Sequence, residues 1–110
     1  MNFYIGNSIA EFHEQNRNVE FSDELIDFIY RLKGQAEIDM STLYEIDPYA
    51  DVEISVNDLS QIIDICHYIL KESLIQDYED PIEGEKMLKE LSEMAKEAAS
   101  KGMGLLSIGD

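Results

Sequence analysis

The chain has 110 residues, 45% of them hydrophobic, a single cysteine and a formal net charge of -16; that is enough for one domain, burying roughly two thirds of the surface its unfolded chain exposes. Such a charge repels phosphate backbones and anionic lipid head groups, which excludes nucleic acid and membrane surfaces as direct partners and leaves a basic protein. Cys66 has no second cysteine to pair with, which fits a reducing compartment and a buried thiol.

The first stretch, MNFYIGNSIAEFHEQNRN, carries no basic leader and no apolar run long enough for a secretory signal. No segment approaches the roughly 20 apolar residues of a membrane span, so a cytoplasmic location is expected. Phe3–Ile5 and Leu105–Ile108 read as short paired edge strands, and Ser8 with Glu11 has capping-box spacing for a short helix through Glu14. The first strong helix runs from Ser22 to Lys33. Ser22 caps it, Asp23 and Glu24 complement the dipole in its first turn, and Gly34 follows its end. Phe21 and Ile26 stand at staple spacing, with Leu25, Ile26, Ile29 and Leu32 as the inward stripe.

Ser41 to Ile46 reads as a helical turn stopped by Pro48, because a residue before proline avoids the helical region. Val52, Ile54 and Val56 alternate with Glu53 and Ser55, as a half-exposed strand does. A central helix is expected from Val56 to Ile75, boxed by Ser55 and Asp58. Its stripe is Leu59, Ile62, Ile63, Cys66, Ile69 and Leu70, widened by Ile65, and its outward face is Gln61, Asp64, Tyr68, Lys71 and Glu72. The last helix starts at Asp80 with Pro81 in its first position and ends at Gly102. It balances its own charges through Glu85 with Lys89, Glu97 with Lys101 and Glu93 with Lys96. These elements predict a mainly α fold: a small single-domain helical bundle over residues 1–110, with a short two- or three-stranded β element from the termini and residues 51–56.

Charge is not spread evenly over these elements. From Gly34 to Leu70, 37 residues contain no Lys or Arg and eight acids, half of the net charge. Tyr44, Ile46, Tyr49 and Ile54 are threaded among those acids, a composition that supplies both a buried anchor and a charged rim. The candidate partner-binding residues are therefore Glu37, Asp39, Tyr44, Glu45, Asp47, Tyr49, Asp51, Glu53, Asp58 and Asp64.

Catalytic and cofactor motifs find no support. Asp47, Asp51 and Glu53 lack the order of a calcium loop, and His13 and His67 belong to no zinc-ligand spacing. Adjacent helical residues point about 100° apart, so Cys66 and His67 do not form a nucleophile and base. Glycines sit where helices end rather than in a phosphate-cradling loop. No enzyme activity, metal or cofactor is expected.

Two short segments carry a resemblance. Leu43-Tyr-Glu-Ile-Asp-Pro-Tyr49, followed by Val52 to Ser55 and a helix with Leu59, Ile62, Ile63 and Cys66, resembles small bacterial proteins with a Leu-x-x-Leu/Ile-Asp-Pro-Tyr element before a central helix. The ending Leu106-Ser-Ile-Gly-Asp110 is similar to their closing Phe/Ile-Gly-Asp. Such proteins are often encoded beside polymorphic or contact-dependent toxins and are regarded as immunity proteins. The resemblance implies a stoichiometric inhibitor of a basic cognate toxin, a nuclease effector domain being the natural target because its substrate cleft is basic. The alternative is an acidic adaptor or assembly protein that inhibits nothing. A toxin gene immediately upstream would favour the first.

Overall fold

The computed structural model describes residues 1–13 and 15–109. In chain order it comprises β1 (Asn2–Ile5), β2 (Val19–Glu20), α1 (Asp23–Arg31), α2 (Ser41–Tyr44), β3 (Val52–Ile54), α3 (Leu59–Lys71), α4 (Pro81–Ser100) and β4 (Leu105–Ile108), with 3-10 turns between several of them. The fold class is α+β, which corrects the expectation of a mainly α helical bundle. Four strands form one antiparallel sheet in the order β2-β1-β4-β3. The termini are its centre rather than its edges, since β1 and β4 pair over four residues each. Strand β2, a two-residue piece at Val19–Glu20, closes one side. Its brevity leaves no alternation to read in sequence, so only the pairing with β1 defines it.

Alternation divides the sheet into two faces. Phe3, Ile54 and Leu105 enter the main core with the helices, and each such buried side chain contributes on the order of 1.5–3 kcal/mol. Tyr4 and Leu106 point the other way and are also buried. They are covered by the segment after β1, where the Phe12 ring lies 4.7 Å from that of Tyr4. Glu53, paired opposite Leu106, accepts a hydrogen bond from the Ile9 amide at 2.8 Å on this same face. The Ser8 cap is present, but it opens only a 3-10 turn, Ile9–Glu11. The expected helix through Glu14 does not form, because the chain turns extended at Phe12 with ψ of 136°; Glu14 itself lies outside the described residues.

Helix starts follow their side chains closely. The Ser22 hydroxyl accepts from the Leu25 amide, and Phe21 and Ile26 are both buried. Asp80 accepts from the Glu83 amide ahead of Pro81. Ser55 accepts from the Asn57 amide instead of that of Asp58, so it caps a 3-10 turn, Val56–Asp58, and α3 begins at Leu59. Helix α3 also stops sooner than its apolar pattern, at Lys71, because Ser73 takes a left-handed conformation with φ of 58°. Ile75 still reaches the core, from the following 3-10 turn. Gly84 explains how that turn approaches α4: a Cβ there would lie 2.7 Å from the Ile75 side chain.

Helices α3 and α4 pack together through Ile62, Ile65, Cys66 and Ile69 on one side and Leu88, Leu91, Ala95 and Ala98 on the other, all members of one core. Ile63 and Leu70 flank it, half-buried. Two of the expected helix pairs close, Lys89–Glu85 at 2.6 Å and Lys101–Glu97 at 3.5 Å. Glu93 and Lys96 do not form a third among the described residues.

Candidate functional site

The acidic stretch wraps one side of the molecule, tied to α3 at two places. The Tyr68 hydroxyl accepts from the Glu37 amide at 3.0 Å, and Thr42 donates to the Gln61 side chain. Gln61 and Tyr68 lie two helical turns apart on one stripe, and Asp64 sits between them on it. Residues 37 to 45 therefore run alongside this face of α3, and Glu37 and Asp64 belong to the same exposed side as α2.

Four of the ten predicted residues converge. Glu45, Asp47, Glu53 and Asp58 line a single open groove of about 340 Å³. One wall is α2 and the turn after it, from Ser41 to Asp47, and the other is β3 with the following turn. Ile46 and Ile54 are nearly buried at its floor, and Val52 is half-buried. The groove thus has an apolar base and a carboxylate rim.

The predicted acids separate into different roles. Asp39 accepts from the Ser41 amide at 2.9 Å, and this backbone bond, with the Ser41 side chain, holds its carboxyl below the ordinary carboxylate value. Asp47 accepts from the Tyr49 amide at 2.9 Å and so shapes the Asp47–Ala50 turn as well as lining the groove. Asp51 accepts from the Gly109 amide at 3.1 Å, joining the end of β4 to the segment before β3. These three acids serve the fold. Glu37, Glu45, Asp58 and Asp64 have no hydrogen bond or ion pair through their carboxylates among the described residues. Only Asp58, directly ahead of Leu59, has a helix start to complement.

The tyrosines also divide. Tyr49 is 72% exposed and stands free at the surface. Tyr44 is half-buried, its ring edge-on to Tyr30 at 5.3 Å. Lys33 Nζ lies 3.9 Å from the centre of the Tyr30 ring, and its pKa is raised, chiefly by its hydrogen bond to Tyr30. A cation from α1's end is thus folded back beside a segment that has none in sequence. Of the two, Tyr49 is the accessible one.

A second acidic hollow escaped sequence reasoning. Glu20, Glu24, Glu79, Asp80 and Glu83 line a hollow of about 510 Å³ floored by Tyr78 and Met87. The signal was present: six acids and no base lie between Lys71 and Lys86. The balanced pairs further along α4 obscured it. Several of these acids have an internal reason to be there, since Glu24 and Glu83 sit in the first turns of α1 and α4 and Asp80 caps α4.

The Cys66 thiol is fully buried, and that burial pushes its pKa up to about 12. His67 turns instead to α4, with Nε2 3.0 Å from the Ser92 hydroxyl. Among the described residues no three His, Cys, Asp or Glu side chains are grouped to hold a metal ion. No described helix is long and apolar enough to cross a membrane. Comparison of the chain with protein-family models, with curated proteins and with solved structures finds no match.

Proposed function

We propose that this protein is a stoichiometric inhibitor that binds a basic cognate toxin, a nuclease effector domain, through the acidic side centred on the groove between α2 and β3. One observation carries the reading: Glu45, Asp47, Glu53 and Asp58 rim a single groove with an apolar floor in a stretch of 37 residues without Lys or Arg. Nucleases present basic clefts to their substrates, and a carboxylate-lined surface both steers toward such a cleft and pairs with its Arg and Lys. Glu37, Asp64 and the exposed Tyr49 extend the surface beyond the groove. The immunity-protein resemblance points the same way, and a cytoplasmic location is where such an inhibitor would act.

The experiment is a titration of nuclease activity of the adjoining gene's product against this protein, with complete inhibition expected at about one equivalent, because a plug acts by occupancy. Glu45→Lys and Asp58→Lys should weaken the complex, by about tenfold or more each, whereas Glu90→Lys on the exposed side of α4 should not. The association rate should fall steeply from about 0.05 to 0.5 M salt as the Debye length shrinks from roughly 14 to 4 Å. Full protection at a small fraction of an equivalent would sink the occupancy mechanism. A complex that forms without inhibition would favour the adaptor reading, and equal losses at all three positions would reduce the site to total charge.

A further inference from the structure

The acidic groove runs along an open sheet edge. Strand β3 pairs with β4 and with no other described strand. The Ile54 carbonyl oxygen faces β4, for a Cβ on Gly104 would lie 2.1 Å from it. Backbone groups alternate sides along a strand, so the amide and carbonyl of Glu53 turn away from β4. Val52 and Ile54 point to one face of the sheet and Glu53 to the other, yet all three line the same groove. Residues of opposite faces share a hollow where it follows the strand's open margin.

An unpaired edge is a template for another extended chain, and proteins commonly blunt such edges by keeping them short or with charge or proline. Strand β3 is short and carries Glu53 but no lysine or proline, so its charge repels an acidic chain and not a basic one. We propose that the partner adds an extended, basic segment to β3 as a fifth strand, with its backbone paired to Glu53. Its apolar side chains would cover Val52 and Ile46, and its Arg or Lys side chains would meet Glu45, Asp47 and Asp58. The inference rests on the reading that this side takes a basic polypeptide, and it adds how that polypeptide is held. Charge selects the occupant: a second copy of this chain would bring a net charge of -16 against the same carboxylates. Strand addition gives affinity through the backbone and specificity through alternate side chains. Because β3 is three residues long, the flanking carboxylates carry much of the recognition.

The test uses a short peptide of alternating arginine and valine, and the same peptide N-methylated at alternate backbone positions so that one edge cannot pair. Titrated into the ¹⁵N-labelled protein, the unmodified peptide should slow exchange of the Glu53 amide by about tenfold or more. The N-methylated peptide should bind about tenfold or more weakly. Glu53→Pro removes the outward amide and should abolish binding of the unmodified peptide; circular dichroism establishes whether that variant is folded, and the peptide pair on the wild-type protein decides the matter if it is not. Equal affinity for both peptides, binding without protection of Glu53, or no binding would overturn strand addition and leave the toxin titration to judge the acidic surface on its own. Protection of Glu53 that is indifferent to Glu45→Lys and Asp58→Lys would keep the strand edge and remove the charge-based reading.

Discussion

At the scale of single residues, the structure separates side chains and backbone atoms that cannot change from those that can. Gly104 is the tightest point: a Cβ would fall 2.1 Å from a backbone oxygen of β3, which no rotamer change relieves. Gly34 meets nothing within 4 Å. Gly104→Ala should therefore destabilise the fold by about 3 kcal/mol, as overpacking against backbone does, whereas Gly34→Ala should be neutral or stabilising by up to about 1 kcal/mol. Urea unfolding of the two variants checks this, and equal midpoints would mean that β3 is free to shift away from Gly104. The same reasoning sorts the acids. Asp39, Asp47 and Asp51 each accept a backbone amide, so changing them tests folding as well as binding. Glu45 has no such duty and is the cleaner probe.

At the scale of elements, caps decide where helices begin and a few backbone angles decide where they stop. Helix α2 has only four residues and no side-chain cap of its own at Met40. Asp39, one residue earlier, takes that part by accepting from the Ser41 amide. Because its folded pKa is lowered below the ordinary 3.8, its contribution is present above that value and is lost as pH falls through the lowered one. A carboxyl titration followed by NMR should place the Asp39 midpoint below 3.8. Ser41→Ala keeps the backbone amide and removes the hydroxyl, so the midpoint should move part of the way back up. An unmoved midpoint would leave the backbone bond as the whole cause. The wall of the groove depends on this turn, since Ser41, Thr42 and Glu45 all line it.

At the scale of the whole molecule, a net charge of -16 on 110 residues opposes compaction through self-repulsion. The balanced ion pairs of α4 do little against this, being exposed. Raising salt from about 0.01 to 0.3 M should therefore raise the melting temperature by about 4 °C or more, since screening removes repulsion while the core is unaffected. A melting temperature independent of salt would mean that the acids are already spaced beyond mutual influence. Two acidic regions contribute to that repulsion: the groove side formed by residues 37 to 64, and the hollow at the starts of α1 and α4.

What the sequence determined is what short-range physics encodes. Ser22, Asp80, Pro81 and Gly102 mark helix ends because a cap or a left-handed residue acts within one turn. The apolar stripes of α1, α3 and α4 are visible because burial imposes their period, and the concentration of acids between Gly34 and Leu70 is a plain count. Tertiary structure alone decided the rest. Strand order follows from pairing between the two ends of the chain, about a hundred residues apart, which no local pattern specifies. It made the terminal strands central, gave β2 its existence and left β3 with an open side. It also drew Glu45, Asp47, Glu53 and Asp58 to one groove and gave Asp39, Asp47, Asp51 and Glu53 a backbone amide each, because a carboxylate's role depends on which donor the fold brings within hydrogen-bonding distance.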